Sequence, residues 1–329
     1  MDYTTTLADA QPIAITIGNF DGIHRGHQRL LSELRAVAQE AGATPVMVTF
    51  SPHTLLVVRP GIHLECLTTL HEKLGLAKVY GHVADSIVVH FTPEVAALTA
   101  REFLDTLEAS FPIRAMVVGD NFSLGHNRMG DVAFLQEYGQ EHDMLVRAIR
   151  LEVAEHERIS STRIRSLVHE GRIAEANELL GHPVVVSGIV AHGDQRGRLL
   201  GFPTANLLPE PHKLLPANGV YAARVTLGQP GQQAKSDASD ELPVSYGESQ
   251  KVWNSAVNVG VRPTFDGHQR LVEAHLLDAD LDLYGQEITI NFIARLRSEQ
   301  RFNGLDALKA QIAKDTQETR RILQNGDEG

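Results

Sequence analysis

Cysteine is almost missing from this chain. Cys66 is the one cysteine in 329 residues, so no intramolecular disulfide framework is available and a reducing compartment, the cytoplasm, is the expected location. CxxC is thereby excluded, HExxH does not occur, and the common zinc-binding spacings go with them. GxxxxGK[ST] is also absent, which removes a P-loop nucleotide site. Basic residues are in the minority, with 30 Lys and Arg against 41 Asp and Glu for a net charge of −11. No global positive field draws the chain to nucleic acid or to an anionic membrane, although a local pocket on an acidic protein can still be positive. Long apolar runs are lacking too. A spanning helix needs about 20 mostly apolar residues. The longest uncharged run, Ala41–Val58, carries Gly42, Pro45, Pro52 and His53 and reads as a buried strand and its loop. Met1–Gln11 has no Lys or Arg and no apolar core, unlike a secretory signal.

What remains is ordinary soluble material, 43% hydrophobic and 22% charged. The length implies about two domains. Ile13–Ile17 reads as a buried strand. Leu30, Leu31, Leu34, Val37, Ala38 and Ala41 follow helical spacing and stop at Gly42, and Val46–Phe50 is a second strand. That order predicts a βαβ unit with a parallel sheet. It continues through strands at Ile87–Phe91 and Ala115–Val118 and helices at Ala100–Leu107, Ile164–Val168 and Ile173–Leu180. After Pro183 the texture changes. Val184–Val190, Gly219–Leu227, Val252–Val259, Leu271–Leu277 and Ile288–Ala294 are strand-like with no helices between them, which predicts an antiparallel sheet or barrel. A last helix, Leu305–Leu323, presents Leu305, Leu308, Ile312, Thr316, Thr319 and Leu323 on one face. The expected division is an α/β domain over residues 1–182 and a β domain with a terminal helix over 183–329. Gly228–Gln250, rich in Gly, Gln, Ser and Asp, reads as a loop inside the second domain.

Two segments carry chemistry. Gly18-Asn19-Phe20-Asp21-Gly22-Ile23-His24-Arg25-Gly26-His27 lies between the first strand and the first helix. The carboxyl end of a parallel strand followed by a helix N-terminus is a standing anion site. Gly26 would let backbone approach a ligand. His24 and His27, three apart, would share a helix face and suit a phosphate whose charge grows during reaction. A plain turn or a pair of metal ligands are the alternatives at this point. Late in the same domain, Arg158-Ile159-Ser160-Ser161-Thr162-Arg163-Ile164-Arg165 concentrates positive charge ahead of a helix, with Ser160 or Ser161 suited to cap it. In the second domain, Gly193 to Asn206 reads as a glycine-rich loop with Arg196 and Arg198. In Leu271–Leu276, alternation sets Glu273 and His275 opposite Val272, Ala274 and Leu276, so Glu273 faces solvent or a cleft if the apolar set faces the core.

HxGH after the first strand with ISSTxxR late in the domain resembles the nucleotidylyltransferase superfamily. The ordered set GNFDGIHRGH, TFSPH (Thr49–His53), VVGDNFSLG (Val117–Gly125) and ISSTRIR is similar to the bacterial bifunctional riboflavin kinase / FAD synthetase family. GRLLGFPTAN, PANGVY (Pro216–Tyr221), NVGVRPTF (Asn258–Phe265) and VEAHLLD (Val272–Asp278) extend the likeness over nearly the whole chain. The resemblance implies a Rossmann-like nucleotidylyltransferase domain followed by an antiparallel β-barrel kinase domain with a terminal helix. It implies that riboflavin is phosphorylated to FMN in the second domain and FMN is adenylylated to FAD in the first, with ATP and Mg2+ at each.

By that resemblance His24, His27 and Asn121 face the reacting phosphates, Arg158 and Ser161 hold the triphosphate, and Gly18, Phe20, Asp21, Gly22, Gly119, Ser160, Thr162 and Arg165 belong to the same ATP site. Leu124 and His126 stand where the family often has an aromatic and a lysine. On the kinase side the resemblance points to Gly193, Gly197, Arg198, Gly201, Pro203, Thr204 and Asn206, with Thr204 and Asn206 ligating the magnesium of ATP and Glu273 as the base. Expected partners are riboflavin, FMN and ATP, without nucleic acid or membrane, which leaves room for a weak homo-oligomer. The competing expectations are a monofunctional adenylyltransferase whose β domain only binds flavin, and a non-catalytic flavin or nucleotide sensor. Intact PTAN with Glu273 speaks against the first, and the presence of His27, Ser161 and Glu273 against the second.

Overall fold

The computed structural model describes residues 1–5, 7, 11–83, 85–150, 159–191, 202–228, 251–264, 267–279 and 281–325. The chain forms two compact units. One comprises Met1–Leu64 and Leu76–Ser160, the other Glu65–Gly75 and Ser161–Gly329.

The first unit holds β1 (Tyr3–Thr5), β2 (Ile13–Ile17), α1 (Arg25–Glu40), β3 (Thr44–Ser51), α2 (Thr54–Val58), the second half of α3 (Leu70–Tyr80), β4 (Asp85–His90), α4 (Pro93–Ala97), α5 (Ala100–Glu108), β5 (Ile113–Gly119), α6 (Val132–Glu141) and β6 (Leu145–Ile149). The sheet order is β1-β4-β3-β2-β5-β6. All pairings are parallel except β1 on β4, an edge strand that the apolar pattern did not announce. Every residue of β2 is buried, as expected for a strand covered on both faces. Leu30, Leu31, Leu34, Val37 and Ala38 form the buried stripe of α1. On the sheet's other side, Leu104, Leu107 and Leu135 join Ile15, Val48 and Val118 in one core. The run Ala41–Val58 differs from expectation at its end, where α2 follows β3 with none of its residues buried.

Where α5 meets α6, the Tyr138 hydroxyl lies 2.8 Å from Asp105 Oδ1 and 2.7 Å from Glu108 Oε2. Burial first, then these two carboxylates, push the phenol well above its ordinary value. A folded-state pKa raised above the unfolded one contributes stability that is fully present below about pH 10 and is lost as pH rises through the folded value. Tyr138→Phe is therefore expected to flatten the alkaline limb of the thermal-midpoint curve above about pH 10. An unchanged limb would contradict the assignment.

The second unit holds α7 (Ser161–Glu170), α8 (Ile173–Leu180), β7 (Val184–Ala191), β8 (Ala205–Pro209), β9 (Gly219–Leu227), β10 (Trp253–Thr264), β11 (Gly267–Leu276), β12 (Glu287–Arg297) and α9 (Leu305–Asn325), with the first half of α3. Its strands close a barrel in the order β10-β11-β8-β7-β12-β9, every pairing antiparallel. The helices α7 and α8, which fall within residues 1–182, group with this unit. Asn177 on α8 clamps the barrel, its amide nitrogen donating to the Phe292 carbonyl (2.9 Å) and its oxygen accepting from the Val184 N–H (2.7 Å). On α9 the buried face runs through Asp315, Thr316, Thr319 and Leu323. Leu305, expected on that face, is 64% exposed at the first position of the helix. Most of the Gly228–Gln250 loop lies outside the described residues.

The excursion Glu65–Gly75 is pinned to the barrel by a buried ion pair. Lys213 Nζ lies 2.6 Å from Glu72 Oε2, and both side chains are fully buried. Lys213 also donates to the Leu67 carbonyl, and Glu72 accepts from the Thr69 N–H (2.9 Å) and the Ser187 N–H (2.7 Å).

Candidate functional site

Strand order in the first unit runs from β2 outward through β3 to β4 on one side and from β5 to β6 on the other. The reversal lies between β2 and β5, and open α/β sheets bind ligands outside the carboxyl ends of the strands at that point. Gly18 to His27 follow β2 and Gly119 ends β5, so both signature loops emerge there. Asn121 is exposed in a turn that the Phe122 N–H closes onto the Gly119 carbonyl (3.0 Å).

The loop after β2 is held in unusual backbone. Phe20 (φ 50°), Gly22 (φ 88°) and Ile23 (φ 41°) are left-handed, which reverses the chain sharply before α1. Phe20 and Asp21 are buried, each 2% exposed. A Cβ on Gly18 would come within 3.1 Å of the Phe20 ring, so the glycine makes room for it. His24 caps α1, its Nδ1 accepting the His27 N–H (3.3 Å). A neutral His24 ring therefore carries its proton on Nε2. The His24 and His27 rings stack at 3.6 Å and 13°, and the edge of Phe20 packs on His27 at 5.1 Å. Among the described residues no grouping of three metal-ligating side chains includes either histidine. Gly26, expected to admit a ligand, has a nearer neighbour: a Cβ there would sit 3.2 Å from the His24 ring.

Asn19 was not foreseen. Its amide donates to Thr54 Oγ1 (2.9 Å) and accepts from the Thr54 N–H (3.3 Å), while its carbonyl accepts from Thr49 Oγ1 (3.3 Å). The GNFDG loop is thereby tied to the TFSPH segment over the adjacent strand. Both stretches stood out in the sequence, but nothing there joined them. Ser160 is half-buried and precedes α7. Ser161, Thr162 and Arg165 lie in the first turns of that helix, in the second unit, and Arg158 lies outside the described residues.

In the second unit, β8 begins inside PTAN, a strand that sequence patterning missed because only five residues long. Val272 and Ala274 are fully buried and Leu276 is 7% exposed, so Glu273 and His275 face outward, both half-buried. Glu273 pairs with Asn206 on one side and Asn258 on the other. Directly opposed residues share a face with Cβ atoms about 5 Å apart, so the carboxylate stands between two amides in a row across three strands. A cavity of about 240 Å3 is lined by Pro203, Thr204, Asn206, Ala274, Asp282 and Tyr284, among others. The hydroxyl and amide oxygens of Thr204 and Asn206 are hard donors of the kind a magnesium ion takes.

Arg270, further down β11, donates to the carbonyls of Leu215 (3.2 Å) and Pro216 and to Asn218 Oδ1 (3.2 Å), which anchors the PANGVY segment. Burial holds its guanidinium below the ordinary value. Trp253 is buried at the start of β10, with Lys251 Nζ 5.4 Å above its ring. Gly193, Gly197, Arg198 and Gly201 lie outside the described residues.

Comparison with known proteins extends these observations. Residues 6–163 match the family model for FAD synthetase and residues 180–323 that for riboflavin kinase. A bifunctional riboflavin kinase/FMN adenylyltransferase of Escherichia coli K12 is 37% identical over 314 residues, 95% of this chain and 93% of the relative. The Bacillus subtilis protein of the same description is 32% identical over 317 residues, 94% of this chain and 92% of the relative. A crystal structure from Streptococcus pneumoniae, described as a macrolide-efflux protein, has a TM-score of 0.79 at 28% identity and covers 96% of both chains. Among the described residues no helix is long and apolar enough to cross a membrane.

Proposed function

Because this chain belongs to the bifunctional riboflavin kinase/FMN adenylyltransferase family, we propose how its side chains divide the two reactions. Residues 1–182 carry adenylyl transfer and residues 183–329 carry phosphorylation, in the cytoplasm. In the kinase half, Glu273 accepts the proton of the riboflavin 5′-hydroxyl as that oxygen bonds to the γ-phosphorus of ATP. The bond to the β–γ bridging oxygen breaks, giving FMN and ADP. The observation that carries this reading is the row Asn258–Glu273–Asn206, which stands a carboxylate among polar neighbours and shares Asn206 with the cavity. Thr204 and Asn206 are the residues that would hold Mg2+, which when bound neutralises phosphate charge.

In the adenylyltransferase half, an FMN phosphate oxygen attacks the α-phosphorus of ATP and pyrophosphate leaves. The nucleophile is already an anion, so no base is needed, and the chain supplies orientation and charge stabilisation. His24 and His27 stand stacked after β2 at the switch point, with Gly18, Phe20, Asp21, Gly22, Gly119 and Asn121 in the two loops that emerge there. Arg158, Ser160, Ser161, Thr162 and Arg165 hold the triphosphate in this reading. Gly193, Gly197, Arg198 and Gly201 shape the kinase loop.

Product analysis with riboflavin, ATP and Mg2+ tests the division. The intact protein is expected to yield FMN and then FAD. His27→Ala should lower FAD formation by about 10²–10³-fold, the loss typical of one removed charge-stabilising donor, while FMN accumulates. If FAD forms from supplied FMN at the original rate in that variant, the histidine assignment fails.

A further inference from the structure

We propose that His275 is a positioning residue of the phosphoryl-transfer half, holding the peptide before Thr204 in place. The inference rests on the reading of Thr204 as a group that serves MgATP. Along β8, the ladder to β11 pairs Leu207 with Val272, Asn206 with Glu273 and Ala205 with Ala274, and there it ends. The ladder to β7 ends one residue earlier, at Asn206 with Ala191. Asn206 is therefore fixed by strand pairing on both sides, while Thr204, which lines the same cavity, precedes the last paired residue.

Two contacts from one side chain continue the attachment. His275 Nδ1 lies 2.8 Å from the Pro203 carbonyl oxygen. A carbonyl has no proton to give, so Nδ1 is the donor. The Phe202 ring packs edge-on against the same imidazole, with centroids 5.4 Å apart and planes at 82°. The two residues that lead into Thr204 are thus both held by His275. Alternation along β11 puts His275 on the same outward face as Glu273, two residues away. One strand then carries the proposed base and the residue that places the proposed ATP ligand. A misplacement of about 1 Å at such a group is enough to slow a reaction by about 10²-fold.

The test is steady-state kinetics of riboflavin phosphorylation in the full-length chain, with FMN adenylylation measured alongside as a check of folding. Four variants are compared: His275→Leu, His275→Asn, His275→Gln and Thr204→Ala. The asparagine amide nitrogen falls near the position of Nδ1, whereas the glutamine nitrogen falls near Nε2. His275→Leu is expected to raise the KM for MgATP about tenfold or more, with the KM for riboflavin within about twofold. His275→Asn should recover most of the loss and His275→Gln should not. Equal behaviour of the asparagine and glutamine variants overturns the proposal, and that comparison still decides if the leucine variant does not fold. An unchanged MgATP response in His275→Leu also overturns it, provided Thr204→Ala shifts that response. If Thr204→Ala leaves the MgATP response unchanged, the reading of Thr204 itself fails.

Discussion

Glu273→Gln is expected to slow riboflavin phosphorylation by about 10²–10⁴-fold, the range of a general base, and to leave conversion of supplied FMN to FAD intact. Glutamine keeps the shape of the side chain and its place between Asn206 and Asn258, so the barrel has no reason to rearrange. What disappears is the acceptor for the hydroxyl proton. A change in kcat with an unchanged riboflavin KM would locate the loss in the transition state. The measurement is FMN and FAD formation by the same enzyme preparation, separated chromatographically. Riboflavin phosphorylation at the original rate would exclude Glu273 as the base.

Lys213→Met is expected to destabilise the barrel unit by about 3–5 kcal/mol, the range for removing one partner of a buried ion pair. At roughly 2–4 °C per kcal/mol for a unit of this size, the thermal midpoint should fall by about 10 °C. The Glu72 carboxylate would stay buried with two backbone donors and no countercharge. The pair joins the excursion Glu65–Gly75 to the barrel, so limited proteolysis within that excursion should also increase. The double variant Glu72→Gln with Lys213→Met should recover part of the loss, because no uncompensated charge is then buried. A midpoint unchanged in Lys213→Met would show that the pair contributes little.

Much of the architecture was legible because its signal is local. Ile13–Ile17 and Ile173–Leu180 appear in the structure with the bounds expected from their apolar runs and from Gly18 and Gly181. The short segments were not legible. β1 has three residues, β8 has five and α2 has five, too few to display a period. The alternation in β11 showed that Glu273 faces away from the core but could not say what stood beside it. Its neighbours Asn206 and Asn258 lie 67 and 15 residues away along the chain and meet it only through strand register.

The amino-acid sequence by itself determined the class of this protein. Its lack of cysteine pairs, P-loop and basic field excluded whole groups of functions, and its ordered motifs placed a nucleotidylyl-transfer half before a kinase half. Those are properties of composition and of residues close together in the chain. Only the tertiary structure decided which side chains act together. The Asn19 clamp, the Glu72–Lys213 pair and the grip of His275 on Pro203 all depend on which strands and loops lie side by side. So does the packing of α7 and α8 with the barrel, because α8 buries its apolar face against β7 and β12 and the Asn177 amide completes hydrogen bonds that its own helix cannot.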